Sequence, residues 1–303
     1  MKEEKMHLLI IGGNGFIGRH FVDRAVADGH HVTIVSRSRG PERTGVTQLT
    51  GGIEALCEAP EILDRIDTVC HCASMSIPAS SAADPIGDIT GNLQPLLLLL
   101  DTMRQRGLRR IVFLSSGGAV YGIPRSMPIP EDHACAPISP YGITKLAMEN
   151  YLAFYQAQYG FKPVIIRPAN PYGPGQGKVG QLGVVWTFLR MLQEGKTATL
   201  FGDGSTRRDF VYIDDLCDLM MRAVCSDVVG AFNCGGGGSG TELNELINTL
   251  HTVTGQTLDV LHEPARAIDP PAIVLDINRA AVELGWTPRV SLSDGVHKIV
   301  AKM

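Results

Sequence analysis

The sequence predicts an α/β protein: a doubly wound parallel sheet carrying a smaller C-terminal α/β lobe. Three observations lead there. Apolar runs of strand length alternate with helix-length segments through the first half of the 303 residues. Those runs are nearly continuous rather than alternating, as strands covered by helices on both faces must be. A glycine-rich turn joins the first run to the first helical segment, the usual junction of a nucleotide-binding βα unit.

The elements follow in order. HLLIIGG (7–13) reads as a strand and FIGRHFVDRAVADGH (16–30) as a helix closing at Gly29. HVTIVS (31–36), DTVCHCA (67–73), RRIVFLSS (109–116) and KPVIIRPA (162–169) are further strands. Helices are expected at NLQPLLLLLDTMRQRG (92–107) and from about Pro140 to Gly160. These elements make a first domain over 1–170. Beyond it the pattern loosens into the Gly/Pro-rich crossing PYGPGQGKVGQLG, a late strand AFNCG (231–235), and helices near 241–254 and 278–285. Residues 171–303 are therefore expected to form mainly the smaller lobe, with a segment near 205–240 returning to the first domain. CGGGGSG (234–240) has the composition of a flexible linker, but a strand before it and a helical pattern after it favour a turn at a strand end.

Composition narrows the function. Hydrophobic residues make up 44% and charged ones 19%, enough to bury a sizeable core. The net charge of −4 and the lack of a Lys/Arg run argue against nucleic acid as a partner. Seven cysteines lack framework spacing, and Cys70-His71-Cys72 has no second pair at zinc-ligand distance, so buried thiols and no metal are expected. MKEEKMHLLIIGG is a charged tail running into a strand, not a signal peptide, and the apolar run Leu96–Leu100 is too short to span a bilayer. A soluble cytoplasmic protein with no membrane partner is the expectation.

The chemistry lies in two motifs. Gly12-Gly13-Asn14-Gly15-Phe16-Ile17-Gly18 sits between the first strand and the first helix, where glycines allow a tight turn and a close approach of backbone to pyrophosphate. This is the signature of a Rossmann-type sheet. At the end of the second strand, a carboxylate would hold the adenosine ribose hydroxyls and repel a 2′-phosphate; Ser36 and Arg37 stand there instead. NADP is thus the expected cofactor, with NAD as the alternative. The second motif is Ser115-Ser116 followed by Tyr141-Gly142-Ile143-Thr144-Lys145. Pro140 suits a first helical turn, which puts Tyr141 and Lys145 on one face. A neighbouring ammonium lowers a phenol pKa from about 10 toward the range useful for acid/base work. The lysine can also reach the nicotinamide ribose, and a serine hydroxyl can share the substrate oxygen.

The chain resembles an extended short-chain dehydrogenase/reductase of the NAD-dependent epimerase/dehydratase family, the nucleotide-sugar enzymes typified by UDP-galactose 4-epimerase. The matching pieces occur in order over nearly the whole length: GGNGFIG (12–18), HCAS (71–74), Asn92, SSGGAVYG (115–122), SPYGITKLAMEN (139–150), IIRPANPYGPGQ (165–176), FGDGSTRRDFVYIDD (201–215), FNCGG (232–236) and LGWTP (284–288). The resemblance implies that Tyr141 is the general acid/base and Lys145 its electrostatic partner, with Ser116 or Ser115 as the helping hydroxyl. Gly12, Gly15, Phe16, Ile17, Gly18, Ser36, Arg37, Ala73 and Lys145 would bind cofactor. Asn170, Arg208 and Arg266 would bind the nucleotide-sugar, the two arginines neutralising its diphosphate. Helices 92–107 and 140–160 would pair two subunits in a homodimer.

Three departures from the family pattern stand out. The position that often carries the catalytic hydroxyl is Gly117. Gly118-Ala119 lacks the Asp-Glu pair of the dehydratases, which disfavours dehydration. The third strand ends in Gly51-Gly52-Ile53 rather than with an aspartate for adenine. The leading expectation is an NADPH-dependent reductase of a nucleotide 4-keto-6-deoxysugar. The alternative is a 4-epimerase with bound NAD and a 4-keto intermediate, and a non-catalytic dinucleotide-binding protein is a third reading.

Overall fold

The computed structural model describes residues 5–178, 183–265 and 270–303. Its centre is one sheet of β1 (His7–Ile11), β2 (His31–Ser36), β3 (Val46–Thr50), β4 (Thr68–His71), β5 (Arg110–Leu114), β6 (Lys162–Pro168) and a later strand, Gly230–Cys234. Four short strands of the second half lie between, β7 (Asn170–Tyr172), β8 (Ala198–Phe201), β9 (Arg207–Arg208) and β10 (Phe210–Tyr212), so Gly230–Cys234 is β11. The sheet order is β11-β6-β5-β4-β1-β2-β3, and every pairing is parallel. The winding reverses between β1 and β4, the crevice where such sheets bind ligands.

Alternate residues of β1 serve the two faces. Leu8 and Ile10 join Phe21 and Val22 of helix α1 (Phe16–Ala27) in one core. Leu9 and Ile11 join the other, with Leu96, Leu99 and Met103, and with Met148 and Leu152. The strand side chains point alternately up and down, and both layers are fully buried, which explains the unbroken apolar runs.

Helix α1 ends at Ala27, with Gly29 at φ +88°, slightly before the expected Gly29 boundary. Short helices α2 (Glu54–Glu58), α3 (Pro78–Ala83) and α4 (Pro85–Asp88) follow. The helix expected over 92–107 starts as a π-helical turn, Ile89–Leu93, and becomes α5 only at Gln94–Gln105. The Gln94 N–H bonds Ile89 O, five residues back, and Pro95 next in line brings no N–H to continue an α ladder. Asn92 sits in this widened turn. After α6 (Gly117–Val120), helix α7 (Pro140–Tyr159) has Ser139 as its N-cap, accepting from Gly142 N at 3.2 Å, and Gly160 at φ +69° as its C-cap.

The second half is built of short pieces: β7 pairs β10, β8 pairs β13 (Val260–Glu263), and β9 lies between β12 (Thr241–Glu242) and β14 (Ala272–Ile273). CGGGGSG runs from the end of β11 through a turn into β12, with Gly237, Gly238 and Gly240 at positive φ, so the turn reading holds and the linker reading does not. Among the described residues, no helix is long and apolar enough to cross a membrane.

Candidate active site

The glycine turn and the loop after β4 meet at the reversal point. Gly12 has φ +79°, and a Cβ there would lie 2.9 Å from the Ala73 backbone. A Cβ on Gly18 would lie 2.2 Å from Gly12 O, so α1 can pack this close only on a glycine. At Gly15 a Cβ would meet, among the described residues, only Gly12 O, at 3.1 Å. No side chain caps α1, whose first N–H groups start from Gly15. These features fit the pyrophosphate of a dinucleotide. Ser36 ends β2, its carbonyl accepting from Gly51 N at 2.9 Å, and Arg37 beyond it is exposed. Arg39 is engaged with Glu42 at 3.0 Å, and Asn14 Nδ2 holds Ser38 O at 2.8 Å, tying the glycine turn to this loop.

Tyr141 and Lys145 lie one turn apart in α7. Gly142 lets the helix start press against α6, since a Cβ there would sit 2.5 Å from Ala119 O. The Tyr141 N–H is fixed by Ser81 Oγ at 3.0 Å. The side chains of Ser116 and Ser74 lie beside the Tyr141 phenol and act to favour its ionised form. Lys145 is buried, donates to Leu114 O at 2.9 Å, and places Nζ 5.8 Å from the Tyr141 ring centre. Burial lowers its pKa to about 8, against the opposing pull of Glu149 and Asp88.

This corrects one expectation. The phenol is not made acidic here: burial pushes it up to about 12, the Asp88 carboxylate adds to the rise, and the two serines only partly offset both. Desolvation outweighs the lysine because Nζ is aimed at a backbone carbonyl rather than at the phenol oxygen.

A buried polar cluster lies under the same helix. Asp88 binds Thr144 Oγ1 at 2.5 Å and Ser76 Oγ, and Asn92 Nδ2 bonds Asp88 Oδ1 and Ser76 Oγ, both at 3.0 Å. Asn92 Oδ1 also accepts from Met75 N at 2.8 Å. The sequence reading attached no role to Ser74 or Asp88. The signal available for Asp88 was its spacing of four from Asn92 on one helical face. For Ser74 it was a hydroxyl just past a strand end in the crevice.

Ser115 is placed elsewhere. Its hydroxyl donates to Glu149, which is ion-paired with Arg167 at 2.6 Å. Arg167 reaches Tyr121 OH at 2.8 Å, and Tyr121 bonds Asn233 Oδ1 at 2.8 Å. That network braces β5, β6, α7 and β11, and takes Ser115 out of the catalytic pair. Gly117 is tightly packed: a Cβ would sit 2.5 Å from Leu275 Cδ1, which would have to turn aside, and 3.0 Å from Arg167 O.

Asn170 Nδ2 bonds Asp209 O at 2.8 Å at the start of β7. Arg208 in β9 bonds Pro270 O at 3.0 Å and its own neighbour's carbonyl. Arg266 lies outside the described residues. Cys70 is in the core and Cys72 is partly buried in the same strand end, with burial raising both thiols.

The model of the NAD dependent epimerase/dehydratase family matches residues 8–235. A UDP-glucose 4-epimerase of Mycolicibacterium smegmatis is 35% identical over 306 residues, covering 97% of each chain. A dTDP-4-dehydro-6-deoxyglucose reductase of Escherichia coli is 31% identical over 314 residues, covering 99% of this chain and 98% of its own. The crystal structure of a UDP-glucose 4-epimerase with UDP-glucose from Thermotoga maritima superposes with a TM-score of 0.90 at 35% identity, covering 98% of both. The glycine turn at the reversal point, the Tyr141–Lys145 helix beside it and these likenesses all agree: the chain is an enzyme of the short-chain dehydrogenase/reductase type and belongs to the NAD-dependent epimerase/dehydratase family.

Proposed function

We propose that this protein interconverts the C4 configuration of a UDP-activated hexose, as a nucleotide-sugar 4-epimerase with a tightly held NAD. The observation that carries the reading is the phenol of Tyr141, with Ser116 beside it and Lys145 Nζ 5.8 Å from its ring centre, at the C-terminal end of the sheet where the glycine turn lies. The names of the relatives, mostly 4-epimerases, support it.

A bound nicotinamide dinucleotide supplies the ring that accepts the C4 hydride and gives it back. Gly12, Gly15, Phe16, Ile17, Gly18 and Ala73 hold its phosphates and Ser36 and Arg37 its adenosine end. Tyr141 takes the proton of the sugar 4-hydroxyl and later returns it, and Ser116 orients the same oxygen. Lys145 carries charge below pH of about 8 and favours the phenolate form when it does. Asn170, Arg208 and Arg266 bind the nucleotide diphosphate. Two copies pair through α5 and α7, which expose Leu98, Ile143, Tyr151, Phe154 and Tyr159.

One observation favours a second reading, a single reduction of a 4-keto-6-deoxy nucleotide sugar by NADPH. The end of β2 offers no carboxylate against a 2′-phosphate, and exposed Arg37 can pair with one. The reductase relative is consistent with that reading.

Purification followed by absorbance and mass analysis of bound cofactor separates the two. Co-purifying NAD, with UDP-glucose and UDP-galactose interconverted without added reductant, supports the epimerase. An empty protein that oxidises NADPH only with a 4-keto sugar supports the reductase. Tyr141→Phe is expected to cut turnover by about a hundred- to ten-thousandfold, and unchanged turnover would overturn both.

A further inference from the structure

Two pieces of chain border the site, the loop after β4 and the first turn of α7. Ala73 of the loop backs onto the glycine turn, where a Cβ on Gly12 would lie 2.9 Å from the Ala73 backbone. The first turn of α7 carries Tyr141 and Lys145. One carboxylate is bonded to both pieces. Asp88 ends α4, is 2% exposed, and opens the π-helical turn Ile89–Leu93, a kind of turn that recurs at functional sites.

The hydrogen-bond partners of that carboxylate are neutral side chains. Oδ2 accepts from Thr144 Oγ1 at 2.5 Å, and Oδ1 accepts from Ser76 Oγ and from Asn92 Nδ2, the latter at 3.0 Å. A buried carboxylate is costly unless donors replace the water it has lost. Here the donors come from α7, from the loop and from the π-helical turn, so all three are referenced to one point. Thr144 lies three residues after Tyr141 and one before Lys145. A helical threonine can turn its hydroxyl back to the carbonyl a turn earlier, but this one spends its hydrogen on Asp88. On the other side, Ser76 O accepts from Ser74 Oγ at 3.0 Å, and Asn92 Oδ1 accepts from Met75 N at 2.8 Å. Ser81 of α3 adds a second hold on α7, through Tyr141 N at 3.0 Å.

We propose, resting on the nucleotide-sugar reading, that Asp88 is a positioning residue for the hydride-transfer step: it locks the Tyr141 helix to the loop beside the glycine turn. It thereby fixes where the phenol stands against the cofactor cleft. Asp88 moves no proton itself. Its effect passes through Thr144 to the turn that carries Tyr141 and Lys145, and through Ser76 and Asn92 to Ser74 and Met75. Rates fall steeply when reacting groups are displaced by even an ångström, so such a joint shows in kcat.

Three variants of the full chain break the joint from different sides: Thr144→Val from α7, Ser76→Ala from the loop, and Asp88→Asn at the centre. Hydrogen exchange read by mass spectrometry follows the backbone amides of 72–77 and 139–146, with and without NAD. Each variant is expected to speed exchange about tenfold in both segments, including the one it does not touch. Thr144→Ser, which keeps the hydroxyl, is expected to exchange like the wild type. Thr144→Val and Ser76→Ala each delete a single donor, so the test holds even if Asp88→Asn does not fold. In turnover of a UDP-hexose, Thr144→Val is expected to lower kcat about ten- to a hundredfold with KM changed less than about twofold, and Thr144→Ser to recover it. Faster exchange confined to the mutated segment would overturn the proposal. So would a wild-type kcat in Thr144→Val, or a loss that Thr144→Ser fails to recover. If the wild type turns over no nucleotide sugar while both segments respond, the functional reading fails and the joint at Asp88 stands.

Discussion

Ser115 and Ser116 are adjacent in sequence and serve opposite sides of the structure: Ser115 donates to the buried Glu149, and Ser116 lies beside the phenol of Tyr141. An extended backbone at Ser116, φ −153° and ψ 111°, turns successive side chains to opposite faces. The same dipeptide therefore supplies one brace and one catalytic neighbour.

The two serines are expected to separate by assay. Ser116→Ala should lower kcat about tenfold while leaving the denaturation midpoint nearly unchanged. Ser115→Ala should do the reverse, costing about 1–3 kcal/mol because Glu149 loses a donor in a buried site. Urea unfolding and steady-state turnover on both variants check this; equal kcat losses would refute the division.

Gly117→Ser would restore a hydroxyl where family members often carry one, yet it is expected to destabilise. Its Cβ would press on Leu275 and on Arg167 O, and overpacking of this kind costs about 1–3 kcal/mol. Leu275→Ala added to it should recover part of the loss by vacating the space. Thermal unfolding of the single and double variants tests this, and a Gly117→Ser protein as stable as wild type would contradict it.

Lys145 gives a pH signature with a definite sign. Burial lowers its pKa from the usual 10.5 to about 8 in the folded chain. Between those values the unfolded chain still holds a proton that the native chain has released, so stability rises with pH across that window. Below pH 8 both states are protonated and the cost of burying the ammonium is complete. Compared with Lys145→Met, the cofactor-free wild type is expected to gain on the order of 3 kcal/mol in unfolding free energy from pH 8 to 10.5. Parallel curves for the two proteins would show that the ammonium is not penalised.

Arg37→Ala tests the cofactor. If Arg37 pairs a 2′-phosphate, the variant should lose about tenfold in affinity for NADP and little for NAD, by dissociation constants measured on the full chain. Equal losses would remove the argument for NADP.

Much of the site could be read from the sequence because its parts are local. A strand, a tight turn and a helix N-terminus lie within Ile11 to Gly18, and Tyr141 to Lys145 is one turn of a helix started by Pro140. Short-range sterics and the helical repeat dictate these wherever they occur. The continuous apolar runs likewise announced strands buried on two faces.

What tertiary structure decided is the environment of each polar group. No local rule says that Ser115 meets Glu149, or that Leu275, 158 positions away along the chain, fills the space beside Gly117. Nor does one say that the Lys145 amine is taken by a carbonyl of β5, so that burial raises the phenol that the sequence alone expected to be acidic. Ser74 and Ser116 come near each other beside the phenol because β4 and β5, which they follow, are neighbours in the sheet. Hydrogen bonding and desolvation depend on which atoms surround a group in space, and those atoms come from chain segments that only folding brings together.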